Sequence, residues 1–123
     1  MRPEDRDAAS LWDALQSANK VAAYMAPIST FDDYMGSAIT RSAVERELTV
    51  IAEALNRLSE AAAQAHPAIS IAKIVGLRNR IIHEYDTVEH EWIFTIARDR
   101  VPELIAQLQD ALPAVPPDPE LNS

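Results

Sequence analysis

The chain of 123 residues has no cysteine, only two glycines and no long apolar run. Without cysteine there are no disulfides, thiolate metal sites or cysteine nucleophiles, and nothing argues for an oxidising compartment. Gly36 and Gly76 are too few for a sheet-rich fold with its many tight turns. No stretch approaches the roughly 18 apolar residues of a membrane span, and the N-terminal MRPEDRDAAS is polar and charged, unlike a signal peptide. A cytoplasmic location away from membranes is the expectation. An excess of positive charge is also missing. At a net charge of −8 and a pI near 4.7, the chain has the wrong sign for broad neutralisation of phosphates, so any nucleic-acid contact has to be local.

Hydrophobic residues make up 48% and charged residues 24%, the composition of an ordinary globular protein. The length suits one domain with a real core and no second module. Apolar positions recur at threes and fours from Glu4 to Met25, giving a first helix stopped by Pro27. The connection 28–40 has room for a short helical turn around Phe31–Met35. A second helix is expected from about Ser42 to Ala65, with Val44, Leu48, Ile51, Leu55, Leu58 and Ala62 on one stripe, closed by His66-Pro67. A third starts after Ser70 and reaches the neighbourhood of Tyr85. A fourth follows Asp86-Thr87 and runs to Leu112, kinked or split at Pro102. The expectation is an all-α antiparallel four-helix bundle over residues 1–112, followed by a proline-rich tail, 113–123, expected to be disordered.

One stretch stands out chemically. Gly76-Leu77-Arg78-Asn79-Arg80-Ile81-Ile82-His83-Glu84-Tyr85 crowds a guanidinium, a carboxamide, an imidazole and a phenol into little more than two helical turns. Arg78 is expected near the middle of the apolar stripe, where a charge is costly unless compensated. Tyr85, seven residues on, shares its face at about 20°, whereas His83 is about 140° away and closer to Asn79. A regular helix therefore holds Arg78 and His83 apart. Either the helix ends or distorts near His83, or two copies of it complete one cleft in a dimer. Plainer roles exist for each residue alone: Arg78 paired with a helix 2 carboxylate such as Glu47, His83 solvated, Tyr85 at the core edge.

Arg-Asn-x-x-x-His-x-Tyr, here Arg78, Asn79, His83 and Tyr85, resembles the motif of HepT-like proteins in the HEPN superfamily. The surroundings carry the likeness further: AVERELTVIAEALNRLSE, then IVGLRNRIIHEYDTVEHEWIF and VPEL, in the order and spacing of that family over roughly residues 8–112. Ile71 stands where many relatives have a tryptophan. The resemblance implies a metal-independent endoribonuclease acting as the toxin of a toxin–antitoxin system, usually a homodimer, with no cofactor. It also implies a partner antitoxin, an MntA-like nucleotidyltransferase that transfers AMP to the motif tyrosine, here Tyr85. In such an enzyme His83 would be general base or acid, Arg78 would hold the phosphate and Asn79 would orient His83 or the substrate.

Competing readings remain at this point. His83, Glu84, Glu89 and His90 could be taken for a metal cluster, although their spacing is no recognised ligand motif. Trp12 and Trp92 read as core or interface aromatics rather than base-stacking platforms. Arg46 and Arg57 could extend a phosphate path but are commonplace on a polar helix face. A catalytically inactive partner subunit modified by a nucleotidyltransferase, or a structural dimeric bundle, would also fit the sequence.

Overall fold

The computed structural model describes residues 2–83 and 89–112, excluding the side chains of Ile82 and His83. The expected tail 113–123, Glu84 and Tyr85 lie outside the described residues. Within them the chain is helical, with no strand: α1 (Pro3–Met25), α2 (Phe31–Met35), α3 (Ala38–Asn56), α4 (Glu60–Ala65), α5 (Ile71–His83), α6 (His90–Thr95) and α7 (Val101–Ala111), with a π-helical turn, Ile96–Arg100, joining the last two.

α1 opens with Pro3 in its first turn, where a missing N–H costs nothing, and with Glu4 and Asp5 at the positive end of the helix dipole. Its buried face mixes Leu11, Leu15, Val21 and Met25 with the small residues Ser10, Ala14, Ser17 and Ala18, allowing close approach of its neighbours. α3 packs on one side of α1 and α7 on the other, and α5 leans on α3. Val44, Leu48, Ile51, Leu55, Ile93, Val101 and Leu108 form the centre of this core. Trp12 and Trp92 pack against it half-buried, as core-edge aromatics.

The long second helix expected from the sequence is two helices. Asp7 on α1 accepts hydrogen bonds from the backbone N–H of Ser59 (2.9 Å) and from its hydroxyl (2.7 Å), while Ser59 Oγ accepts from Ala62 N–H (3.1 Å). Ser59 is thus an N-cap, and the chain leaves the helix at Arg57 and restarts at Glu60. The apolar spacing runs on through the break, so periodicity alone does not reveal it. The short turn at Phe31–Met35 does form, closed by a capping box between Thr30 and Asp33.

The fourth helix is divided next to Pro102, as expected, and the device is the π-turn. Pro102 has no N–H, and its ring crowds the carbonyl four residues back. Widening the turn, with Val101 N–H reaching Ile96 O, relieves that crowding. The wide turn also keeps Ile93, Ala97 and Val101 on the core side, although two successive steps of four would drift about 80° on a regular helix.

Tyr34 on α2 is wholly buried against Phe94, with ring centroids 5.5 Å apart, and its hydroxyl has no hydrogen-bond partner among the described residues. Burial, and secondarily the charge of Glu45, push its phenol well above the ordinary tyrosine value, against a smaller opposite pull from Arg41. The folded pKa exceeds the unfolded one, so the contribution is fully present below about pH 10 and is lost as pH rises above it. Tyr34→Phe is expected to leave stability at pH 7 unchanged or raised by about 1 kcal/mol, and to weaken the fall in stability above about pH 10. Urea unfolding at several pH values checks this.

Candidate functional site

Among the described residues the motif helix α5 packs mainly on α3. Leu77 and Ile81 are buried toward α3, with Ile71 and Ile74 partly so, while Ala72, Gly76 and Asn79 lie exposed on the opposite side. α5 is α-helical through His83, whose register position, four residues after Asn79, continues the Ala72–Gly76–Asn79 stripe. A side chain added at Gly76 would meet nothing within 4 Å among the described residues, which leave this stripe open and nearly bare.

Arg78 sits at the margin of the apolar stripe rather than in its middle. Its side chain is 35% exposed, so the expected desolvation cost is largely avoided. Its compensating partner is Glu53, not Glu47: Arg78 Nε donates to Glu53 Oε1 at 3.4 Å across the α3–α5 contact. Glu47, buried two turns earlier on α3, lies 4.0 Å from the exposed Arg46. Glu53 is a partner that the sequence does not single out. Its exposure gives no signal, and only the crossing of α3 and α5 brings it to Arg78.

Arg78 Nη1 also donates to Asn79 Oδ1 at 3.3 Å. The guanidinium therefore bends round the helix toward the Asn79 side, and its length spans much of the separation that the helical wheel imposes. Arg78 and Asn79 are brought together. Tyr85 lies outside the described residues, and of His83 only the backbone is described.

The other cations nearby are engaged in different ways. The Arg80 guanidinium lies 4.0 Å from the centroid of the Trp92 ring and 3.9 Å from Glu89. Arg98 forms a two-pronged pair with Asp99 (2.8 and 2.9 Å) and covers Phe94. Hydrogen bonding to Arg98 holds the Asp99 carboxyl below its usual range. Among the described residues, no group of three or more His, Asp or Glu side chains could hold a metal ion; His83 and Glu84 of the candidate cluster fall outside that search. Arg57 is paired with Asp13 at 3.4 Å, on the far side of α3 from the motif helix.

An all-α bundle with Arg-Asn-x-x-x-His in one of its helices defines a small helical protein of the HEPN class. Residues 14–111 match the family described as "Ribonuclease HepT-like", and the chain belongs to that family. It is 29% identical to "Putative RNase MJ1380" of Methanocaldococcus jannaschii over 101 residues, 82% of this chain and 92% of that protein. It is also 29% identical to "Putative RNase MJ0127" of the same organism, over 85% of each chain. "Putative RNase TTE0752" of Caldanaerobacter subterraneus is 29% identical over 68% of this chain and 74% of that protein. No solved structure matches. None of the described helices is long and apolar enough to cross a membrane.

Proposed function

We propose that this chain is a cytoplasmic HepT-like toxin, an endoribonuclease that cleaves RNA without a metal ion. The observation that carries the reading is the Arg78–Asn79 pair on the open side of α5, within a motif of a ribonuclease family. His83 removes the proton from a ribose 2′-hydroxyl, whose oxygen attacks the adjacent phosphorus. The bond from phosphorus to the 5′-oxygen breaks, that oxygen takes up a proton, and the products are a 2′,3′-cyclic phosphate and a 5′-hydroxyl. Arg78 stabilises the charge gathering on the non-bridging oxygens, where a planar two-pronged donor outperforms a lysine. Asn79, its Oδ1 turned to Arg78, couples the guanidinium to the side of the helix that bears His83.

The working form is a homodimer whose motif helices line a shared cleft. The bare stripe of Ala72, Gly76 and Asn79 supports this, because it lets a second backbone or an RNA strand approach closely. A monomer in light scattering at micromolar concentration would count against it. Purified protein is expected to cut RNA in excess EDTA, and His83→Ala to abolish the cutting.

The toxin is neutralised by an MntA-like nucleotidyltransferase that transfers AMP to Tyr85. A phosphodiester on that phenol, seven residues from Arg78, puts negative charge and bulk where substrate phosphate would bind. Co-expression with such an enzyme is expected to add one or more AMP units to the intact mass. Tyr85→Phe should remain unmodified, and modification of that variant at the wild-type level would rule Tyr85 out as acceptor.

A further inference from the structure

Resting on the ribonuclease reading, we propose that the cleft between α5 and α6–α7 is a nucleobase pocket. It takes a base neighbouring the cleaved linkage, with Lys73 and Arg100 on its rim meeting the adjoining RNA phosphates.

The cleft exists because the bundle is open along one seam. α5 rests on α3, and α7 on α1, and the gap between α5 and α6–α7 leaves a cavity of about 420 Å³. That lies within the range of about 300–1,000 Å³ typical of small-molecule sites. Its lining is apolar at Ile51 and Leu77, aromatic at Trp92 and polar at Gln107. A flat heterocycle needs this combination: surface to stack on and an amide to meet ring nitrogens or carbonyls.

The rim supplies the charge. Lys73 comes from α5 and Arg100 from the π-turn, so cations stand on both walls, with the Glu103 carboxylate beside Arg100 also in the lining. Lys73 is exposed and makes no ion pair among the described residues, and Arg100 has only a 3.4 Å contact with exposed Glu103. Residues 73–100 carry five of the eleven Lys and Arg and five of the nineteen Asp and Glu, so this stretch is neutral while the rest of the chain holds the whole −8. A polyanion meets less repulsion on such a neutral stretch than on the acidic remainder. A purely apolar side chain from a protein partner would fill the cavity without using either cation.

The cleft and the motif share the helix α5. Lys73 and Arg80 are seven residues and about 20° apart, forming the edge of α5 between the Asn79–His83 stripe and the cleft. A strand whose phosphate lies at Arg78 and Asn79 crosses that edge to seat its neighbouring base against Trp92. The indole is already held by the Arg80 guanidinium at 4.0 Å.

The test uses the full chain with Trp12→Phe, which leaves Trp92 as the single tryptophan. Trp12 Nε1 has no hydrogen-bond partner among the described residues, so the change removes none there. Titration with AMP, GMP, CMP and UMP separately is expected to give saturable quenching of Trp92 with at least one. Lys73→Glu, an exposed change, and Ser70→Leu, which narrows the cleft, should each weaken it about tenfold or more. In parallel, Lys73→Glu should raise KM for RNA cleavage by about tenfold with kcat within about twofold. No saturable quenching at millimolar nucleotide, or quenching and KM that ignore both variants, would overturn the pocket while leaving cleavage itself standing. Quenching that Lys73→Glu abolishes, in a protein that cuts no RNA, would keep the pocket and sink the ribonuclease reading. A change of oligomeric state in Ser70→Leu without nucleotide binding would make the cleft a protein interface and also overturn the proposal.

Discussion

Arg78→Ala is expected to lower kcat/KM for RNA cleavage by roughly 10²–10³-fold, the loss that follows removal of one pre-organised charged donor from a transition state. Most of the loss should lie in kcat, because the guanidinium meets the extra charge that develops on the phosphoryl oxygens more strongly than it meets the ground state. Stability should change little. The pair with Glu53 is long at 3.4 Å and half-exposed, with side chains 35% and 46% accessible, so its loss costs well under about 1 kcal/mol. Arg78→Lys is expected to recover only a small part of the rate, since an ammonium cannot hold Glu53 and Asn79 while presenting a second parallel N–H to phosphate. Steady-state kinetics on a defined oligonucleotide, beside thermal melts of the same samples, separates the two effects. A variant that lost activity only in proportion to unfolding would reduce Arg78 to a structural ion-pair residue.

The largest loss of stability is expected at Ile51. Its side chain is 1% exposed, sits on α3 where α5 leans, and lines the floor of the open seam. Ile51→Ala removes three heavy atoms from a place already lacking a neighbour on the seam side, and the cost should be about 3 kcal/mol. For a domain of this size that corresponds to a fall in Tm on the order of 10 °C. Because α3 is the main support of α5, the same change should loosen the motif helix before the α1–α3–α7 core melts. Amide exchange is expected to speed up over residues 71–83 more than over α1. Uniform loss of protection, or a cost below about 1 kcal/mol, would contradict the view that α3 is the main support of α5.

Much of the fold was legible because its signals are local. Pro27 and Pro102 each mark an end or a distortion within a turn of themselves, and the three-and-four spacing of Leu48, Ile51 and Leu55 identifies the core face. The break at Arg57–Ser59 was not legible. Its cause is Asp7, 52 residues earlier in the chain, and the apolar periodicity is unbroken across it. The same reason explains the partner of Arg78. On a helical wheel Glu47 borders the apolar stripe while Glu53 lies on the polar side, and only the placement of α5 on α3 selects Glu53. The motif residues could be named from order and spacing. That Arg78 would turn its guanidinium toward Asn79, narrowing the gap between the two faces of α5, depends on side-chain geometry that no spacing encodes.

The most direct measurement of the central claim is an end-group assay. Purified wild-type chain, Arg78→Ala and His83→Ala are each incubated with labelled single-stranded RNA in excess EDTA, and the products are resolved before and after treatments that open cyclic phosphates. The account predicts that the wild type alone yields fragments ending in 2′,3′-cyclic phosphate with 5′-hydroxyl partners. RNA left intact by the wild type, or cut equally by all three proteins, would contradict it.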